Sequence, residues 1–394
     1  MKKIYLDHAA TTPLDPLVLE EMNPFFAEKC GNASSLHEWG REAREAVEKS
    51  REKTAKAIGC EPKEVVFTSG GSESDNLAIV GFAQANRGKG KHIITSAFEH
   101  PAVLDPCKFL EKNGFEVTYV PVSREGIVEV EALRKAIRKD TVLVSIMHAN
   151  NEIGTVQPIE EIAEFTKQKN IAFHTDAVQT VGKVPVGVKK LGVDMLTVSA
   201  HKFYGPKGVG TMYVRKGIAL EPLIHGGGQE MGRRSGTENV PGIVGMGKAI
   251  ELAIGRMAED SKGQERLRDA LIKNTLEIED SWLNGHEEKR LSNNAHFGFS
   301  FIEGESLVLK LDEKGVAAST GSACSSHSLE PSHVLLALGL SHVQAHGSLR
   351  MTLGRENTEK DIEYVAEVLP EVVKNLRKMS PLHKGMSLEF EKPK

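Results

Sequence analysis

Between positions 64 and 214 short apolar runs alternate with amphipathic ones, and this alternation restricts the possible folds more than any other feature of the chain. Strand-like runs fall at 64–68, 92–96, 116–120, 142–148, 171–176, 194–198 and 210–214, with helix-like runs at 77–84, 102–112, 130–138 and 159–168. Strands that alternate with helices over short connections build a mostly parallel sheet, and such a sheet needs helices on both faces. The expectation is an α/β fold whose ligands collect at the carboxyl ends of its strands. Upstream, 15–28 reads as helical, and 37–58 repeats Trp39, Ala43, Val47, Thr54, Ala55 and Ile58 near helical spacing. Downstream, a helix runs from 240 to about 273, after which runs at 293–302, 305–312, 315–320, 331–338, 346–353 and 359–379 mix strands and helices. The predicted division is a large domain over 15–260 and a smaller α+β domain made of 1–14 and 261–394.

The chemistry sits where these runs end. Thr197-Val198-Ser199-Ala200-His201-Lys202 leads into Phe203-Tyr204-Gly205-Pro206, so an apolar strand delivers one lysine into a turn. A desolvated amine, or one beside a cation, has a lowered pKa and condenses with aldehydes. The run 171–176 ends in Asp176, followed by Gln179. An aspartate beneath a pyridinium nitrogen is what pyridoxal 5′-phosphate (PLP) needs to act as an electron sink. Either residue alone reads as a surface lysine or a helix cap; the pair at neighbouring strand ends, flanked by His201 and Gln179, points to a PLP site.

Other strand ends add to it. Ser69-Gly70-Gly71-Ser72 opens a helix after 64–68, and free backbone N–H groups there suit an anion. Gly71 and Ser72 therefore read as a phosphate cup, with an ordinary capped helix as the plain alternative. His100 follows 92–96, and Asn151 follows 142–148. Taken alone, His100 reads equally well as a core histidine, and Pro101 after it restricts it to extended backbone angles. The stretch 6–13 and Gly31-Asn32-Ala33-Ser34-Ser35 suit either a cover over a ligand or simple caps and turns. Arg350, a lone charge in the apolar 347–352, suits an amino-acid carboxylate, with a cross-domain ion pair as the alternative. Gly226-Gly227-Gly228 followed by Arg233 and Arg234 reads as a loop able to grip an anion. Cys324 lies in 319–332, which has almost no apolar anchors and is expected to be mobile. Cys30, Cys60 and Cys107 read as inert, buried cysteines.

Composition narrows the partners. A formal net charge of −4 leaves no basic footprint for nucleic acid. No stretch approaches the ~20 apolar residues of a membrane helix, so a cytoplasmic protein is expected. The four cysteines have neither CxxC spacing nor a disulfide framework, and no metal site is expected.

Asp176-x-x-Gln179 with Ser199-Ala200-His201-Lys202 resembles the fold-type I PLP enzymes of the class V aminotransferase group, and Gly321-Ser322-Ala323-Cys324 narrows the resemblance to cysteine desulfurases of the NifS/IscS type. It runs from Tyr5-Leu6-Asp7-His8-Ala9-Ala10 to about Arg355, nearly the whole chain. The resemblance implies PLP held by Gly71, Ser72, His100, Asn151, Asp176, Gln179, Ser199, His201 and Lys202, with His100 stacked on the ring. It implies a homodimer in which Thr237 bonds the neighbouring subunit's phosphate. It further implies L-cysteine as substrate, its carboxylate on Arg350 and Asn151, and Cys324 as the nucleophile that accepts sulfur. An IscU-like iron–sulfur scaffold, or proteins of tRNA thiolation, would receive that sulfur. Two alternatives stay open: another class V aminotransferase or lyase, in which Cys324 is dispensable, and a PLP-binding scaffold without turnover.

Overall fold

The computed structural model describes residues 3–321 and 331–381. Its central sheet has seven strands: β2 (Val65–Thr68), β3 (His92–Ser96), β4 (Glu116–Val120), β5 (Thr141–Ser145), β6 (Ala172–Asp176), β7 (Met195–Ser199) and β8 (Gly210–Val214), in the order β2-β8-β7-β6-β5-β3-β4. β8 runs antiparallel to both its neighbours, and the other pairs are parallel. This is the mostly parallel α/β sheet that the alternation predicts. Every residue of β2, β3, β5, β7 and β8 is buried, as it must be with helices on both faces, whereas the edge strand β4 is partly exposed.

Several predicted elements differ in extent, two of them for a clear physical reason. The strand expected over 142–148 ends at Ser145, because the Met147 N–H goes to the buried Glu99 carboxylate (3.0 Å) instead of a neighbouring strand. The helix expected over 15–28 is two, Pro16–Met22 and Pro24–Ala27, divided at Asn23. Pro24 has no N–H to continue the first helix and suits the start of the second.

The helix Val240–Leu276 starts at Asn239, whose side chain accepts the Gly242 N–H, and runs for 37 residues. At 1.5 Å per residue it is about 55 Å long. Its first half packs into the apolar core that backs the large sheet; Leu267 and Leu271 enter a second core. That second core also takes Ile4 and Leu6, Phe297 and Phe299, and Val365, Leu369 and Val372. It surrounds an antiparallel sheet of β12 (Ser348–Thr352), β10 (Asn294–Phe299) and β9 (Ser281–Asn284), beside a short parallel pair, β1 (Ile4–Tyr5) with β11 (Val316–Ala317). The N-terminal residues thus cross the molecule, from β1 to a bridge between Asp7 and Thr352, and then to the end of β7, where Thr12 N–H donates to His201 O at 2.9 Å.

A buried ion pair locks the loop after β8 to the sheet. Arg51, on the helix Glu38–Ile58, meets Glu230 in a two-pronged contact (2.8 and 2.8 Å) and donates to Val65 O, while Glu230 also accepts the Phe67 N–H at 2.7 Å. Removing one partner of such a pair leaves an uncompensated buried charge. Glu230→Ala is expected to lower unfolding stability in urea by about 3–5 kcal/mol. A loss below about 1 kcal/mol, the range of an exposed pair, would contradict this.

Candidate active site

The carboxyl ends of β2, β3, β5, β6 and β7 lie along one edge of the sheet, and each is followed by one of the predicted side chains. Lys202 ends a single 3-10 turn, Ala200–Lys202, immediately after β7. Its Nζ donates to two main-chain carbonyls, Ala9 O at 2.5 Å and Ala10 O at 2.8 Å. Asp176 closes β6, whose partner in register on β7 is Thr197. Its Oδ1 accepts the Val178 N–H (2.8 Å), and burial pushes its pKa up to about 6, against the lowering effect of that N–H and of the Lys202 charge. Gln179 Nε2 donates to Ala9 O (3.0 Å), the same oxygen that takes Lys202.

His100 caps the helix Pro101–Lys112 with φ −61° and ψ 148°, the extended angles that the following proline demands. Its Nδ1 accepts the Ala102 N–H at 3.1 Å, so in the neutral ring Nε2 carries the proton. Burial, then the Lys202 charge, pulls its pKa down to about 4. His201 is likewise pulled down to about 4 by burial and Lys202, and its Nδ1 lies 3.1 Å from Thr11 Oγ1. Both imidazoles are neutral at neutral pH.

Gly71 starts the helix Gly71–Asn76 after β2. A Cβ on Gly71 would stand 2.9 Å from Val178 Cγ2 and 3.7 Å from Ser199 Cβ, so the absence of a side chain lets this helix start sit against the ends of β6 and β7. Ser72 is the next residue of that first turn. Thr237 is exposed and lines a cleft with Thr68, Ser69 and Arg234, while Arg234 Nε donates to Glu73 Oε1 (2.9 Å) in the same helical turn.

Arg350 lies on β12 and is only 2% exposed. It donates to Asp7 Oδ1 (2.8 Å), Asn151 O (3.0 Å) and Gly321 O (3.4 Å), and its Nε has no partner among the described residues. Asn151 therefore joins the site through its carbonyl. Its neighbour Asn150 is structural, with its amide on Phe98 O and its Oδ1 taking the Glu152 and Ile153 N–H groups. Cys324 lies outside the described residues, as does Ser322. Of the other cysteines, Cys60 and Cys107 have thiols pushed up to about 12 by burial, which makes them inert. Cys30 departs from the expectation, because it is exposed.

Sequence reasoning misses three contributors. The Ala9 and Ala10 carbonyls have no side-chain signal, although the small-residue run Ala9-Ala10-Thr11-Thr12 is a place to look for close backbone approach. Asp7, the carboxylate on Arg350, is 343 positions away from it. Glu152, buried and bonded by Ser332 Oγ at 2.6 Å, follows directly on Asn151.

Residues 4–365 match the model of the aminotransferase class-V family. The chain belongs to this family. Within it, the chain is 58% identical over 381 residues, 96% of its length and 97% of the relative's, to the cysteine desulfurase IscS of Dictyoglomus turgidum. Among solved structures, a NifS-like protein superimposes with a TM-score of 0.90 at 43% identity, covering 95% of this chain and all of that one. SspA, solved in complex with cysteine, does so with a TM-score of 0.81 at 39% identity, covering 91% of this chain and all of that one. PLP is the cofactor of this family. The site fits it chemically: an amine for the aldehyde, a buried carboxylate on the next strand for the ring nitrogen, and a helix start, suited to an anion, that Gly71 lets pack against both strand ends. Among the described residues, no three His, Cys, Asp or Glu side chains gather as metal ligands, and no helix is long and apolar enough to cross a membrane.

The raised Asp176 pKa carries a stability sign. Its folded value, about 6, exceeds the unfolded 3.8, so its contribution is fully present below about pH 4 and is lost as pH rises through 6. In the cofactor-free protein at pH 7.5, Asp176→Asn is therefore expected to stabilise, by on the order of 2 kcal/mol in urea unfolding, and to show no gain at pH 4. Destabilisation at pH 7.5 would contradict the assignment of burial as the dominant cause.

Proposed function

We propose that this chain is a PLP-dependent cysteine desulfurase that converts L-cysteine to L-alanine and passes the sulfur to Cys324, supplying iron–sulfur cluster assembly. The observation that carries the reading is the placement of Lys202 and Asp176 on adjacent strand ends, with Arg350 held on Asp7 and the Asn151 carbonyl, in a chain 58% identical to an IscS cysteine desulfurase. Lys202, Asp176, Gln179, His100, Asn151, Ser199, His201, Gly71 and Ser72 would hold the cofactor, and Thr237 would reach the phosphate of a second subunit in a homodimer. The large domain, 15–260, supplies the cofactor residues; 1–14 and 261–394 supply Asp7, Arg350 and Cys324.

When bound, PLP would withdraw electrons from the substrate Cα and so make the proton there, and the sulfur on the neighbouring Cβ, labile. The remaining work falls to the protein. Arg350 offers the substrate carboxylate a guanidinium already oriented by Asp7 and by the Asn151 carbonyl. Asp176 is the carboxylate that would face the ring nitrogen, and a cation there would lower its pKa from the cofactor-free value. Lys202, as a free amine, would take the Cα proton. His100 is neutral, and since Nδ1 is occupied by Ala102, the proton that it can lend is the one on Nε2. The Cys324 thiolate attacks the substrate sulfur: the S–S bond forms as the C–S bond breaks, the electron pair stays on the substrate carbon, and protonation there gives alanine. Cysteine and Cys324–SH thus become alanine and Cys324–S–SH, with no external oxidant. An IscU-like scaffold or a tRNA-thiolation protein would then remove the terminal sulfur.

The test is mass spectrometry after a brief exposure to L-cysteine without reductant. The peptide holding Cys324 should gain about 32 Da, one sulfur. Cys324→Ser should keep the cofactor spectrum, gain no sulfur and lose sulfur transfer. Full desulfuration by Cys324→Ser, or a persulfide on Cys30 instead, would contradict the proposal. Mixing Thr237 and Lys202 variants should restore part of the activity through hybrid dimers; a fully active monomer in sedimentation would refute the shared site.

A further inference from the structure

Behind the lysine turn lies a small cavity lined by His8, Lys183, Lys202, Tyr204, Asp260 and Arg355. Lys183 belongs to the turn that follows Gln179, where Gly182, at φ +78°, packs beneath Phe203 and Ala253. The Lys183 Nζ donates to Gln179 O at 3.0 Å and to Lys202 O at 3.4 Å. Those two carbonyls belong to the turns after β6 and after β7. The side chains of the same two residues meet on one acceptor, Ala9 O. The Lys183 carbonyl in turn accepts from Ser261 Oγ at 2.7 Å, which fixes the turn to the long helix Val240–Leu276.

Among the described residues Lys183 has no carboxylate partner, since the nearby acids are engaged: Asp260 pairs with Arg355 (2.6 Å), and Asp15 with Arg256 and Arg355 (3.2 Å each). Burial, and then the charge of Lys202, pulls the Lys183 ammonium down to about 7, and the Lys183 charge is itself among those that depress His201. Lys207 adds to the same positive field at His201.

We infer that Lys183 is a positioning residue for Lys202: its nitrogen ties the two strand-end turns together and, while protonated, sets a second positive charge behind the reactive amine. The inference rests on Lys202 being the residue that carries the cofactor. A neighbouring cation disfavours the protonated form of the nitrogen on Lys202, so that nitrogen reaches its unprotonated, nucleophilic form at a lower pH. Lys207, Asp260 and Arg355 keep their charges when Lys183 is changed, and His100, His201 and Asp176, which also feel the Lys202 charge, are altered in none of the variants.

The test is the absorbance of the bound cofactor in the holoenzyme as a function of pH, for the wild type, Lys183→Met, Lys183→Gln and Lys183→Arg, with thermal unfolding as a check on folding. Methionine keeps the length without the charge, glutamine keeps a donor without the charge, and arginine keeps both. The midpoint of the spectral titration should rise by about one pH unit, a tenfold change, in the Met and Gln variants and return toward the wild type in the Arg variant. A merely structural lysine would lower the melting temperature without moving the midpoint. An unchanged midpoint in both Met and Gln variants overturns the inference. A wild-type spectrum that Lys202→Ala leaves untouched would instead overturn the reading of Lys202 on which it rests.

Discussion

The structure depends on the parallel pairing of β6 with β7. Register places Asp176 beside Thr197, so the chain leaves both strands at the same edge, one strand spacing apart. A carboxylate and an amine on neighbouring strand ends can address two points of one planar ligand. All the other contributors are arranged around this pair: Gly71 brings a helix start against it, His100 caps the next helix along the edge, and residues 7–12 cross over the top. The pairing is shielded from water, with Leu196, Val198 and Phe173 all under 2% exposed and only Ala172 of the two strands partly exposed.

Burial then sets the charges. Desolvation raises Asp176 and depresses His100, His201 and Lys183 in turn, so the cofactor-free site opposes ionisation at almost every titratable group. A ligand that brings a ring nitrogen cation and a phosphate dianion reverses that penalty for Asp176 and for the helix start. The neutral imidazoles remain available for proton transfer, because burial and the Lys202 charge both hold their pKa down. Arg350 is buried in an ion pair with Asp7, which reaches it from the far end of the chain.

Much of this is legible in the sequence because a parallel sheet maps the end of each apolar run onto one edge. Lys202, Asp176 and His100 can each be placed by counting to the end of a strand-like run, and the structure puts all three at the same sheet edge, where the Lys202 charge acts on the other two. What the sequence hides has a physical cause in each case. Main-chain acceptors such as Ala9 O carry no residue signature. The Asp7–Arg350 contact depends on a crossing of the N-terminal segment that no local pattern encodes. Lys183 looks like a solvated turn residue, since the cavity that desolvates it is closed by Tyr204, Asp260 and Arg355 from distant segments. The strand over 142–148 is overestimated because apolar Ile146 and Met147 continue the pattern while a side chain, Glu99, takes over the hydrogen bonding. The role of Cys324 comes from its resemblance to the family motif and from the relatives, and its position lies outside the described residues.

The most direct measurement of the central claim is the product balance with L-cysteine as the only substrate and a thiol reductant to release sulfur. A site in which Lys202 and Asp176 direct the chemistry to the C–S bond, with the amino group retained, gives alanine and sulfide in equal amounts. Pyruvate and ammonia in place of alanine, or a keto acid that retains the sulfur, would contradict it and identify the site as that of a lyase or an aminotransferase.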